Sequence, residues 1–255
     1  MMFKIKDIIK KYLKEQIPFH SKYYDIDLNK NFHVFKAQKK SFYKKDLSKL
    51  TFNELCILFK TDKATLYEEV IYDTHLKKYV RSLVTGHGYS HYYSMVDRSR
   101  VKNLVEIGSY EGASGLVFSA YFDRANIYCL DLTFKNNKLK YKNAKKIEID
   151  QLNKNDLKIF IIKNKLKNKI DLVSDDGAHL NEHIINSFEV LFPCLRKGGY
   201  YFIEDINLKR NRKVYNLFKS NKYKKIAKIK IVKSNLNKNT QSGAPQNYLI
   251  IIRKK

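Results

Sequence analysis

From residue 101 to the end of the chain, short apolar runs alternate with longer amphipathic ones, and this alternation restricts the fold more than any other feature. Strand-like runs fall at 103–108, 126–132, 146–149, 170–174, 200–204, 227–232 and 248–252. Helical periodicity fills 113–122, 156–166, 182–195 and 211–219 between them. Strands separated by helices cannot pair as tight hairpins, so they predict a Rossmann-like α/β fold, a parallel sheet with helices on both faces. The last two strands have no helix between them and predict a closing antiparallel hairpin. Gly198-Gly199 turns the chain into the fifth strand, and Pro193 suits a helix end. The polar stretch 235–247, with Gly243 and Pro245, reads as a loop.

Residues 1–100 read differently, as a helical N-terminal segment ahead of a domain at 101–255. Ile5, Ile8, Ile9, Tyr12 and Leu13 share one helical face, which predicts packing on the protein itself or on a second copy in a homo-oligomer. Thr51 and Glu54 have capping-box spacing and open a helix through Phe59. A further helix is expected over 90–99.

Composition narrows the partners. Lys and Arg number 51 against 25 Asp and Glu, a formal net charge of +26 that would draw anions. The lysines are dispersed, with no Arg-rich block, so most read as solvated surface and nucleic acid is disfavoured. A phosphorylated or nucleotide-linked small molecule is the anionic partner that remains. No apolar run is long enough to span a bilayer. The basic start leads into no continuous apolar stretch, so a cytoplasmic setting is expected. Cys56, Cys129 and Cys194 are too few and too scattered for a disulfide framework or a thiolate zinc site.

Two motifs carry chemistry. In Leu104-Val105-Glu106-Ile107-Gly108-Ser109-Tyr110-Glu111-Gly112 a buried strand enters a glycine turn that opens a helix. Such a turn lets backbone amides approach a ligand. Glu106 is acidic where a core strand is normally apolar, and Asp131 ends the next strand, where an acid can bind ribose hydroxyls. Nicotinamide dinucleotides would need Gly-x-Gly-x-x-Gly, which this turn lacks. The third strand ends in Asp150-Gln151, a pair able to bond an adenine edge or merely to form a surface turn.

The second motif is Ser174-Asp175-Asp176-Gly177-Ala178-His179 at the end of the fourth strand. The fifth ends in Glu204-Asp205. Parallel neighbours would gather these four carboxylates, which repel unless a cation sits among them. Hard oxygen donors suit Mg²⁺, or Mn²⁺ in its place. A single acid at a strand end is most simply a cap, whereas two doublets and a histidine at facing strand ends are not.

These residues resemble a known family. Asp175-Asp176-Gly177-Ala178-His179, Ser187-Phe188, Leu191-Phe192-Pro193 and Lys197-Gly198-Gly199-Tyr200-Tyr201-Phe202-Ile203-Glu204-Asp205 look like the metal-dependent macrolide-sugar O-methyltransferases, with cephalosporin hydroxylase/methyltransferase components as more distant relatives. Thr61-Asp62-Lys63 and His87-Gly88-Tyr89 echo the family's N-terminal signature, though the gap between them is longer than the family's. The resemblance implies the seven-stranded class I methyltransferase sheet and S-adenosylmethionine as cofactor. It implies Asp176, Glu204 and Asp205 as metal ligands, and His179 as general base beside the catalytic Asp176. Glu106, Gly108, Ser109, Gly112, Asp131, Asp150, Gln151, Asp175, Tyr89 and Lys63 would line the cofactor.

The expected reaction is methyl transfer to a sugar hydroxyl, on a nucleotide-linked sugar for surface polysaccharide or natural-product synthesis. An RNA or DNA methyltransferase is one alternative, weakened because no Pro-Pro-aromatic segment follows the fourth strand. A catechol-type small-molecule O-methyltransferase is the other, and it shares the metal logic.

Overall fold

The computed structural model describes residues 46–73, 77–135, 143–233 and 247–255. The expected helix near residues 5–13 lies outside these, as does the expected loop at 235–247 except for Asn247, which opens a strand. Six helices are described: α1 (Phe52–Phe59), α2 (Ser90–Tyr93), α3 (Ala113–Tyr121), α4 (Lys154–Lys163), α5 (Asn181–Leu191) and α6 (Arg212–Lys219). The strands are β1 (Leu66–Asp73), β2 (Lys78–Thr85), β3 (Asn103–Ile107), β4 (Asn126–Asp131), β5 (Ala144–Glu148), β6 (Ile170–Asp175), β7 (Leu195–Asn207), β8 (Ala227–Lys233) and β9 (Asn247–Lys254).

Seven strands form one sheet in the order β5-β4-β3-β6-β7-β9-β8. β5 to β7 run parallel, while β9 is antiparallel to both β7 and β8. This is the class I methyltransferase sheet anticipated from the sequence, antiparallel ending included. Alternate strand residues face opposite layers, as the strand period requires. Leu104, Ile127, Cys129, Leu172 and Phe202 join α1, α2 and α3 on one face. Val105, Ile107, Leu130, Val173, Tyr201 and Ile203 join α4, α5 and α6 on the other. Order reverses between β3 and β6, so the C-terminal edges of these strands open on a crevice suited to ligands.

Residues 47–64 and 89–101 pack into the first of these layers. The capping box of α1 is formed: Thr51 Oγ1 accepts from Glu54 N at 3.2 Å, and Glu54 Oε2 accepts from Thr51 N at 2.8 Å. Phe52 is fully buried and stacks on Tyr93 with ring centroids 5.0 Å apart. Truncating it to Ala should cost about 3–5 kcal/mol and remove the ring that backs Tyr93.

Three expectations shift. Only one turn of helix forms at 90–93, because Asp97 instead accepts from Ser99 N and starts a short 3-10 turn at Arg98–Arg100. The helix expected to reach residue 195 stops at Leu191, ahead of Pro193, and β7 begins at Leu195 rather than at 200. Residues 66–85, read as helical and connective, form an antiparallel hairpin of β1 and β2 outside the main sheet.

Candidate active site

The crevice has two halves. At the first, β3 runs into the glycine turn and α3. Gly108 has φ +81°, and a Cβ there would lie 2.1 Å from the Asp176 carbonyl oxygen. Only glycine lets this turn press against the β6 loop. Ser109 Oγ donates to Glu106 Oε2 at 2.7 Å. Glu106 is fully buried, and its Oε1 has no hydrogen-bond partner. Burial pushes its carboxyl up, partly offset by the neighbouring Ser114 and Ser109 hydroxyls. Glu106 therefore props the turn from beneath.

Asp131 ends β4 and accepts from Tyr110 N and Leu132 N, both at 2.7 Å, which ties it to the glycine turn. Asp150, exposed one strand further out, accepts from Leu152 N at 2.8 Å. Gly108, Ser109, Gly112, Asp131 and Asp150 thus stand along one edge. Strand-end acids around a glycine turn, with an orphaned carboxylate oxygen beneath it, fit a nucleoside-bearing cofactor.

The remaining residues expected at the cofactor go elsewhere. Gln151 is buried, donating to Asp175 Oδ1 at 2.8 Å and to Ser187 Oγ at 3.2 Å. Its Oε1 accepts from Ala178 N at 3.1 Å. Asp175 also accepts from Ser187 Oγ at 2.6 Å and Tyr201 OH at 2.9 Å. Both are internal struts that fix the loop carrying Asp176 and His179, because their polar atoms are spent inside the protein. Lys63 and Tyr89 lie in the other half of the crevice.

That half is the carboxylate centre. Asp176 follows β6. Glu204 and Asp205 sit where the register between β7 and β9 shifts, between Ile203 and Ile206. Asp205 has φ 52° and His179 φ 51°, left-handed values that non-glycine residues hold only under constraint. Asn211 supplies one constraint: fully buried, it donates from Nδ2 to the His179 carbonyl at 2.8 Å. His179 Nε2 is 3.6 Å from Asp176 Oδ1.

Every carboxylate here meets a residue of the segment 61–93. Lys63 Nζ donates to Asp176 Oδ2 at 2.6 Å and to Glu204 Oε2 at 2.8 Å. Tyr93 OH donates to Glu204 Oε1, and Ser174 Oγ reaches the same oxygen at 3.0 Å. Tyr89 OH donates to Asp205 Oδ1 at 2.8 Å. His87 lies between Asp62, at 3.5 Å, and Asp205, at 3.6 Å. Burial opposes the Lys63 charge, but Asp176 and Glu204 hold its pKa well above the usual value. Asp176 is pushed up by burial, against Lys63, and repulsion from Glu204 and Asp205 adds to the rise.

The ligand set expected for a metal divides accordingly. Asp176 and Asp205 offer oxygens that lie within 4.8 Å of one another and of a His179 ring nitrogen. Mg²⁺ commonly keeps several waters and needs only one or two carboxylates, so this pair fits it. Glu204 lies outside that cluster here, with its two oxygens on Lys63, Tyr93 and Ser174. Tyr93 and Asn211 lie in no motif, and Ser174 opens the second motif without a role read for it there. Lys63, Tyr89 and His87 were marked only by the N-terminal signature.

Comparison with known proteins agrees with this architecture. Residues 105–206 match the family described as "Methyltransferase domain". Mycinamicin VI 2''-O-methyltransferase of Micromonospora griseorubida is 33% identical over 107 residues, 40% of this chain and 26% of that protein. Demethylmacrocin O-methyltransferase of Streptomyces fradiae is 34% identical over 107 residues, with the same coverage of 40% and 26%. The match thus spans about a quarter of the length of these relatives. Among solved structures, MycE methyltransferase from the mycinamycin pathway, in complex with Mg and SAH, superposes with a TM-score of 0.54 at 20% identity. That superposition covers 81% of this chain and 55% of MycE, and it shows the common fold. The chain therefore shares its fold with MycE, and residues 105–206 are similar to methyltransferase domains. No helix of the described residues is long and apolar enough to cross a membrane.

Proposed function

We propose that this chain is an S-adenosylmethionine-dependent O-methyltransferase that methylates a sugar hydroxyl with the help of a divalent ion. The observation that carries the reading is the meeting of Asp176, His179 and Asp205 beside the Gly108 turn, within one crevice. The names of further relatives, which specify olivosyl or rhamnosyl acceptors, support the acceptor class.

When bound, the cofactor supplies an electrophilic methyl group and the ion a Lewis acid that lowers the pKa of a hydroxyl. The protein's part is placement and proton removal. Asp131, with Asp150 beside it, would hold the cofactor's ribose and base at the glycine turn. Asp176 Oδ1 and Asp205 would hold Mg²⁺ or Mn²⁺ as hard oxygen donors. His179 would take the hydroxyl proton at Nε2. That nitrogen cannot ligate the ion and accept a proton at once, and a hard ion prefers oxygen, so the base role is assigned to it. Tyr89 and His87 orient Asp205, and Asn211 holds His179 in its left-handed backbone. The catalytic unit therefore includes segment 61–93 as well as residues from 101 on.

A nucleotide-linked sugar would suit the surplus of positive charge, whether destined for a polysaccharide or for a natural product. The experiment is transfer of labelled methyl to a panel of nucleotide-sugars, glycosides, catechols and bulk RNA, with Mg²⁺ and with EDTA. Transfer to a sugar-bearing acceptor that EDTA abolishes is the expected result. Transfer to RNA that survives EDTA would overturn both acceptor and metal. Transfer to catechols alone would keep the metal and replace the acceptor.

A further inference from the structure

We propose that the end of the sheet opposite the crevice, where β7 and β8 begin and β9 finishes, docks the protein on an anionic phospholipid bilayer. This surface is separate from the candidate active site and does not depend on the reaction proposed above.

The sequence carries the first part. Residues 206–255 hold 15 Lys and Arg and not one Asp or Glu, which is more than half of the formal net charge of +26. Lysines read as solvated surface when both signs are interspersed, but here every acid lies before residue 206. Among the described residues, no cation of this stretch forms an ion pair with an acid. α6 even opens on Arg212-Lys213 with no acid in its first turn, against the sign that a helix N-terminus favours. Concentrated like charge destabilises a compact state through self-repulsion, and an external anionic surface relieves it.

Topology gathers many of these cations at one end. β9 runs antiparallel to β7, so Arg253 stands opposite Tyr200, near the start of β7. Lys254 and Arg253 pair in turn with Ala227 and Lys228, at the start of β8. Asp176, Glu204 and Asp205 lie toward the opposite ends of β6 and β7. The cations are held in place. Lys254 Nζ donates to the Pro193 and Leu195 carbonyls at 2.8 and 2.7 Å, and Lys255 Nζ donates to the Lys224 carbonyl. The Arg253 guanidinium lies 5.4 Å over the Tyr200 ring. Lys197, Gly198, Lys228, Arg253, Lys254 and Lys255 line a cleft of about 270 Å³ with no acid on its wall. Exposed Lys165, Lys167 and Lys169 precede β6, whose Ile170 pairs with Leu195, and widen the same end.

Lysine on an edge strand can serve simply to block edge pairing, which accounts for Lys228 and Lys230 on β8. It does not account for Lys197, Lys224 and Lys225, which are exposed and lie off that strand. The choice of bilayer over nucleic acid rests on composition. Lys outnumbers Arg by 12 to three in residues 206–255, whereas nucleic-acid surfaces lean on Arg and on exposed aromatic platforms. The exposed apolar group here is aliphatic: Ile226 is 50% exposed, and its carbonyl accepts from Lys255 N at 3.0 Å. Lysines around an exposed aliphatic side chain suit headgroup phosphates with the acyl boundary beneath them. Docked in this way, the crevice faces water.

The test measures partition of the full-length chain onto vesicles by co-sedimentation. One vesicle is an equal mixture of phosphatidylglycerol and phosphatidylcholine, and the other is phosphatidylcholine alone. Binding is expected to the anionic vesicle only, and it should fall away between about 0.05 and 0.5 M NaCl. A lysine near such a surface strengthens binding about fivefold, so Lys224→Gln, Lys225→Gln and Lys228→Gln combined should weaken it about 100-fold. The same exchange at Lys49, Lys77 and Lys135 should change it less than about threefold. Ile226→Ser should weaken it about fivefold. Adenosylhomocysteine affinity of the first triple variant should stay at the wild-type value.

Equal losses in the two triple variants would reduce the effect to net charge and overturn the surface. Equal binding to both vesicles, or binding to neither, would overturn it as well. A mixed-sequence RNA oligonucleotide might instead bind the wild type tighter than the anionic vesicle does and lose its hold in the first triple variant. That result would give the face to nucleic acid and not to a bilayer. The exchanged side chains are exposed, so the variants should melt with the wild type. Where one does not, the lipid and salt arms on the wild type decide.

Discussion

Two stretches of the same sheet edge solve the problem of concentrated acid in opposite ways. At the ends of β3, β4 and β5, Glu106, Asp131 and Asp150 stand apart, and backbone amides satisfy Asp131 and Asp150. At the ends of β6 and β7, Asp176, Glu204 and Asp205 crowd together. There the segment 61–93 answers them with an ammonium, two phenols and an imidazole. The first half is open and can exchange a ligand at little cost. The second is partly buried and carries more carboxylate than ammonium charge, which suits holding a further cation. The difference teaches that residues outside the matched stretch 105–206 supply the partners of its carboxylates.

The largest effect expected from breaking this division is on turnover. Replacing His179 by Ala should lower methyl transfer by about 10²–10⁴-fold while leaving adenosylhomocysteine affinity near wild type. Calorimetry alongside the rate assay checks both, and a matching loss of affinity would move His179 to the cofactor half.

Next comes stability. Glu204→Gln leaves the buried Lys63 with one partner and should cost about 3 kcal/mol in urea unfolding. Asp131→Asn should cost about 1 kcal/mol or less, yet weaken adenosylhomocysteine binding about tenfold. Equal costs in the two halves would erase the contrast drawn between them.

A smaller effect, about tenfold on kcat, is expected for Asn211→Ala, which frees the His179 backbone. Cofactor affinity should again be unchanged, and a rise in KM without loss of kcat would show that Asn211 only packs.

The smallest is a pH dependence. Burial works against the Asp62 charge, but the His87 hydrogen bond and the nearby Lys63 charge bring its pKa down to about 2 from the usual 3.8. Its contribution is present above pH 3.8 and fades as the pH falls toward 2. For His87, burial opposes the charge, while the Asp62 hydrogen bond and the Asp205 and Asp62 charges raise the pKa above 6.5. Its contribution is full below 6.5 and is lost as the pH rises through the raised value. The melting difference between wild type and Asp62→Asn should therefore be widest between about pH 4 and 6.5 and narrow on both sides. A flat difference would mean that the pair carries no charge.

Much of this was legible in the sequence because it is written in local pattern. The alternation of apolar runs predicts a parallel sheet with an antiparallel ending, which the strand pairing shows, and the strand-end acids pointed to the same edge. What the sequence hid is long-range. Gln151 reads as a ligand by its place after β5, but the partners that draw it inward, Asp175 and Ser187, lie 24 and 36 residues away. Lys63 is one lysine among many in a chain of net charge +26, and its role comes from contacts 113 and 141 residues distant. The β1–β2 hairpin was missed because it lies in a stretch read as helical, although Val70-Ile71-Tyr72 and Tyr79-Val80 are β-branched and aromatic.

The most direct test of the account is a crystal of the full chain grown with adenosylhomocysteine and Mn²⁺, with the metal placed by its anomalous signal. The account predicts one Mn²⁺ peak between Asp176 and Asp205, and the ribose hydroxyls on Asp131. Metal seated away from these carboxylates, or a cofactor bound away from the Gly108 turn, would contradict it.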